Sequence, residues 1–340
     1  MRSSKLAIAA AFAVIYLVWG TTYLAIALAL PAIPPFLLMG SRSMFGGGLL
    51  FAAAWLGSRT VDAATSMRAA ICGTLWFVGC HGTLAYAQQR VPSGLAAVLL
   101  ATTPFWIALI GALLPGGQRP GWKQLGLLTV GLAGVALVVS SEGKGAQGAT
   151  TASDITLLLA AALSWAVGTV LAERWSPKGG EVAFSGLALV AGVAVLVVMS
   201  AWRGEFAAFD LPSVSATAAG AWIYLTLAGT VLAFATFTWL LKRVAPTLAS
   251  TYTFVNPLIA LLLGWAVLGE AIGVNMAIGA LLVVASIGGL LLTRQETSRE
   301  PGHIPRGRSD RTPAAATDYQ GPRADDRNRG PRRGPCRACA

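Results

Sequence analysis

Ten runs of membrane length, almost free of charge, recur along the first 292 residues: 5–26, 36–56, 69–86, 92–114, 124–141, 155–172, 182–201, 215–241, 248–268 and 275–292. About 17–25 apolar residues in helical form span the roughly 30 Å of hydrocarbon in a bilayer. In lipid every backbone N–H and C=O must find its partner inside a helix or a closed barrel. The runs lack the ten-residue alternation of a barrel strand, so helices are expected. With 55% hydrophobic and only 11% charged residues, at a mean hydropathy of +0.66, the chain could not cover a water-facing surface. The sequence predicts an all-α polytopic membrane protein whose first structural partner is the bilayer.

The first run follows Arg2 and Lys5 but reaches Pro31 without a polar, small-residue cleavage region, so it reads as a retained helix rather than a signal. Lys and Arg set the orientation. With the N-terminus in the cytoplasm, the inner connections hold Arg59, Arg68, Arg119, Lys123, Arg174, Lys178, Lys242 and Arg243, and the outer ones only Arg90, Lys144 and Arg203. Both termini are therefore expected in the cytoplasm, in a bacterial-type inner or plasma membrane. Beyond Leu292, Ile304 is the only Ile, Leu, Val, Met, Phe or Trp. Residues 293–340 read as a disordered basic cytoplasmic tail. The net charge of +11 is partly a property of this tail and implies no nucleic-acid partner.

The ten runs contain an internal echo. At an offset of 153, Arg90-Val91 meets Arg243-Val244, Tyr86 meets Trp239, Pro104 meets Pro257, Gly111 meets Gly264, and Gly116 meets Gly269; nearer the start of each half the offset is 146 and pairs Trp19 with Trp165. Two five-helix repeats are expected, residues 1–141 and 142–292. An odd number of crossings inverts the second copy in the bilayer. Inverted repeats suit a carrier, because exchanging the conformations of the halves turns an outward cavity into an inward one.

Polar residues within the runs are candidates for the pathway. Arg42 is the one Lys, Arg, Asp or Glu well inside a span. It either attracts a substrate anion or snorkels to satisfy helix carbonyls. His81 lies at a similar height and is suited to proton exchange or to a hydrogen bond between helices. Trp19, Thr22 and Tyr23 share the first span; the two aromatics, four residues apart, lie on one face as a gate or as packing and interface anchors. Trp165 carries the same two readings in the second half. Thr103-Pro104 and Asn256-Pro257, with Tyr252 one turn earlier, mark the middles of spans four and nine. There proline removes a backbone donor and loosens the preceding turn. No carboxylate falls well inside a span; Glu173 and Glu270 sit at helix ends as interfacial or gating groups. The spans' glycines suit close helix packing and specify no oligomer.

Enzyme chemistry has little support. Cys72 and Cys80 have no second ligand pair, and Cys336-x-x-Cys339 stands without two further cysteines. A phosphate-binding GKS/T loop and a Gly-x-Ser-x-Gly elbow are both missing. No cofactor, metal or catalytic residue is expected.

The stretches WGTTYLAI (Trp19–Ile26), PPFLLMGSR ending at Arg42, RVPSGLAAVLLATTPFW (Arg90–Trp106) and RVAPTLASTYTFVNPLIALLLGWAVLGE (Arg243–Glu270) resemble the drug/metabolite transporter superfamily, in its ten-span branch with two EamA-type domains. The resemblance covers residues 6–292. It departs at Gly116-Gly117, where the second copy has Gly269-Glu270. The resemblance implies a secondary transporter of small molecules with a central cavity, lined or gated at Trp19, Arg42, Pro104 and Asn256. Export of amino acids or related metabolites by alternating access is the expected activity, with coupling to protons or a counter-solute open to it. Broad drug efflux and a noncatalytic scaffold or sensor are the alternatives.

Overall fold

The computed structural model describes residues 5–56, 62–114, 121–141 and 150–299. The tail from Glu300 onward, with Cys336 and Cys339, and the loop residues Arg59, Gly116, Gly117, Arg119 and Lys144 lie outside the described residues. Among the described residues the regular structure is entirely helical. The first half contains α1 (Lys5–Ala29), α2 (Pro35–Leu56), α3 (Ala63–Gly73), α4 (Thr83–Ala87), α5 (Ser93–Leu100), α6 (Thr103–Leu113) and α7 (Trp122–Ser141). The second contains α8 (Ala152–Trp175), α9 (Glu181–Trp202), α10 (Glu205–Ala208), α11 (Ala216–Tyr224), α12 (Ala233–Leu241), α13 (Pro246–Ala249), α14 (Tyr252–Leu268) and α15 (Val274–Arg299). A π-helical segment, Thr74–Gly82, joins α3 to α4, and another, Leu225–Leu232, joins α11 to α12.

Each predicted span falls on helical residues, and α15 runs on past the expected boundary at Leu292. Among the described residues six stretches are long and apolar enough to cross a membrane: Lys5–Ala29, Pro35–Ala53, Ser93–Leu113, Ala152–Trp175, Glu181–Trp202 and Ala216–Leu241. The outer faces of the helices carry large apolar side chains such as Leu17, Phe45, Trp202, Trp265 and Leu281, each at least half exposed. In water such a surface would aggregate; in hydrocarbon it is solvated.

Within the bundle α2 lies along α9, α7 along α15 and α1 along α14. The α7–α15 contact depends on glycine. A Cβ on Gly134 would stand 2.8 Å from the carbonyl oxygen of Gly279, and one on Gly279 would stand 2.6 Å from that of Gly134. Only residues without a side chain let these backbones meet, the usual means of helix association where water supplies no drive.

The expected disruption of spans four and nine takes two forms. In span four the chain turns at Ala101-Thr102, just ahead of Pro104, which starts α6. In span nine Pro257 lies inside the continuous α14, and the break comes about two turns earlier, at Ser250-Thr251. A single proline bends a helix without ending it when neighbouring groups take up the freed carbonyl. At both breaks hydroxyls perform that service. Thr102 and Thr103 donate to the carbonyls of Leu99 and Leu100, each at 2.7 Å. Ser250, Thr251 and Thr253 donate to Pro246, Leu248 and Ser250 at 2.9, 2.8 and 2.8 Å.

Candidate functional site

A cavity lies where α1, α2, the first π-helical segment, α4, α5, α6, α8 and α14 converge. Trp19, Thr22 and Tyr23 reach it from α1, Arg42 from α2 and His81 from the π-helical segment. Thr103 comes from α6, Trp165 from α8, and Tyr252 and Asn256 from α14. These are nine of the eleven residues singled out in the sequence. Pro104 and Pro257 are buried beside Thr103 and Asn256 but do not line the space. They shape the helices that present their neighbours. The free volume is about 40 Å³. That holds a water or two and is far below a metabolite, so the walls must separate before cargo enters.

Arg42 is 3% exposed, and one of its terminal nitrogens donates to Nδ1 of His81 at 3.3 Å. Arginine can only donate, so Nδ1 accepts and the neutral imidazole carries its proton on Nε2. Among the described residues Arg42 has no carboxylate partner, and its Nε has no hydrogen bond. Two further lining residues hold buried polar atoms without partners, Trp165 at Nε1 and Asn256 at Oδ1. An arginine at the centre of a membrane helix costs about 3 kcal/mol on insertion scales. These donors and this acceptor are open to water or to a polar ligand.

The rest of the wall is aromatic. Trp19 meets Tyr252 at 4.6 Å, Phe237 at 5.1 Å and Trp165 at 5.5 Å between ring centroids, and Trp165 meets His81 at 5.1 Å. The Nε1 of Trp19 donates to the carbonyl of Gly229 at 3.1 Å, within the second π-helical segment. Tyr23 is 6% exposed, which removes the interface-anchor reading. Sequence reasoning missed Ile26, Cys80, Leu84, Leu100 and Thr253 in the lining, and Trp76, Phe234 and Phe237 behind it. Trp76, Cys80 and Leu84 recur every fourth residue around His81, a helical spacing that was available as a signal; nothing marks Phe234 out among so many apolar residues.

Several carboxylates at helix ends are occupied. Glu270 caps α5, accepting from the backbone N–H of Ser93 at 2.8 Å, its hydroxyl at 2.9 Å and the N–H of Gly94 at 3.2 Å. Glu205 accepts from the N–H groups of Phe36 and Leu37 at the start of α2, at 3.3 and 2.8 Å. Two arginines repeat one arrangement. Arg90 stacks over Tyr86 at 4.8 Å and pairs with Asp154 at 2.5 Å; Arg243 stacks over Trp239 at 4.0 Å and pairs with Glu181 at 3.3 Å. Hydrogen bonding to Asp154 raises the pKa of Arg90, while burial lowers that of Lys242, which donates to the carbonyl of Glu173. Among the described residues no group of three His, Cys, Asp or Glu is placed to hold a metal ion.

A lipid-solvated helical bundle around a small, polar-centred cavity defines a membrane transporter. The chain belongs to the EamA-like transporter family, whose profile matches residues 5–140 and again 152–292. It is 33% identical over 260 residues to the uncharacterized inner membrane transporter YedA of Escherichia coli K12, an alignment covering 76% of this chain and 82% of YedA. The transporter YoaV of Bacillus subtilis is 27% identical, with 80% and 92% covered. Protein PecM of Dickeya dadantii is 28% identical, with 79% and 89% covered. A crystal structure superposes with a TM-score of 0.63 at 23% identity over 86% of this chain and 100% of its own, a likeness of fold.

Proposed function

We propose that the protein is a secondary carrier that exports small carboxylated metabolites, amino acids or their relatives, by alternating access across an inner membrane. In this reading ten helices form two inverted sets of five, both termini are cytoplasmic, and the basic tail is peripheral to transport. The observation that carries it is the isolated Arg42 guanidinium in a cavity whose wall comes from both family-matched halves. A substrate carboxylate would offset the burial of that charge, and the ring of Trp19, Trp165 and Tyr252 would receive the apolar part.

The aromatic wall also favours a second reading, efflux of bulky hydrophobic compounds, for which Arg42 would matter little. The test is transport by purified protein in vesicles. A mixed panel of amino acids, other metabolites and lipophilic cations would be offered with and without a proton gradient. Flux of carboxylated cargo that falls in Arg42→Gln supports the proposal. Flux of lipophilic cations alone would replace it with drug efflux. A folded protein with no flux for any of them would favour a scaffold or sensor.

A further inference from the structure

A second cavity lies at the end of the bundle formed by the α1–α2 turn, the end of α4 and the α9–α10 turn. It holds about 330 Å³, the scale of small-molecule sites. It sits next to the central cavity along two helices. Ile26 in α1 lines the central space and Leu30, one turn on and just past the end of α1, lines this one; in α4, Leu84 lines the first and Tyr86, two residues on, the second. Phe36 stacks on Tyr86, with centroids 5.8 Å apart at 15°, and Nε2 of Gln88 donates to the carbonyl of Tyr23 at 3.3 Å.

The chemistry turns on two cations at one ring. The guanidinium carbons of Arg90 and Arg203 lie 4.8 and 5.0 Å from the centroid of Tyr86. Arg90 has its acid, Asp154. Arg203 has none among the described residues; beside its place over the ring, its side chain makes a long 3.5 Å donation to the Tyr86 hydroxyl. The carboxylate nearest in sequence, Glu205, also lines the cavity, but it is committed to the first N–H groups of α2, where the helix dipole also holds it. Arg203 is exposed and lines the cavity, its fork held by the ring and its other donors open.

We propose that this cavity is a vestibular binding site for small carboxylates, with Arg203 and the Tyr86 hydroxyl as its anion-binding pair, in series with the central cavity. A carboxylate takes two parallel N–H bonds from an arginine fork and needs no other cation. Its place on a transport route rests on the carrier reading above; the binding itself does not.

The test measures how fast phenylglyoxal, an arginine-selective reagent, modifies Arg203 in the full chain in nanodiscs, read by mass spectrometry. Potassium butyrate is expected to slow the reaction at least threefold, with butylammonium chloride and potassium chloride at equal ionic strength having no effect. Protection should shrink in Tyr86→Phe and persist in Arg42→Gln. Equal protection by chloride, or none by butyrate, would overturn the site; loss of protection in Arg42→Gln would assign the binding to the central cavity. In vesicles Arg203→Gln should raise KM for carboxylated cargo about threefold at unchanged maximal rate, and an unchanged KM would overturn its place on the route. If no cargo moves while butyrate still protects Arg203, the carrier reading fails and the site stands.

Discussion

The two halves share a plan and differ in charge. In each, a π-helical segment interrupts the third helix, an aromatic residue carries an arginine four positions later, and the following helix is broken and repaired by hydroxyls. α2 and α9 correspond at an offset of 146, which sets Ala188 against Arg42; at the later offset of 153 Phe234 stands against His81. Both second-half residues are buried and apolar. The ionisable pair of the cavity comes from the first half alone, and the second half answers with Trp165, Tyr252 and Asn256. Under the carrier reading proposed above, this asymmetry suits a cargo with two unlike ends: the first half holds the charge and the second supplies an apolar wall with a neutral amide.

Experiments can break this comparison, and the largest effect is expected from joining the halves. Cysteines at Thr103 and Asn256, which line the cavity from opposite halves, should stop flux almost completely once crosslinked and restore it on reduction; undiminished flux after verified linkage would show that the halves do not separate there. Next, Arg42→Gln should cut the initial rate for carboxylated cargo tenfold or more, and that for the matching amines less than threefold, at equal protein abundance. Equal losses would deny the first half its special role. A smaller effect is structural. Gly134→Leu should destabilise the α7–α15 contact by about 1–3 kcal/mol, seen as a lower melting temperature in detergent, whereas Gly126→Leu, which meets nothing within 4 Å, should leave it unchanged. The smallest separates the repeated ion pairs. Arg90→Gln and Arg243→Gln should each cost under about 1 kcal/mol, because both arginines are partly exposed. A larger loss at either would mark a gate rather than a surface pair.

The sequence and the structure agree where a residue was out of place in its surroundings. Arg42, His81, Asn256, Trp19 and Trp165 stood out because apolar runs carry few such groups, and the bundle gathers them at one cavity. The π-helical segments were not legible, since a five-residue hydrogen-bond step is set by how neighbouring helices pack and leaves no compositional mark. The same limit explains span nine. Proline announces a weak point, but packing around Tyr16, whose hydroxyl meets Thr251 at 2.5 Å, places the break two turns away. Buried acids were likewise missed. Asp154, Glu181 and Glu205 flank the apolar runs, where sequence suggests exposure, and tertiary contacts cover them.

The hydroxyl-repaired breaks bear on the energy economy of the membrane. A bent joint that exposed bare carbonyls would recruit a file of water, and such a file conducts protons. Because Thr102, Thr103, Ser250, Thr251 and Thr253 fill those acceptors from within, the joints leave such a file fewer footholds. A hinge finished in this way works against short-circuiting the gradient across the bilayer.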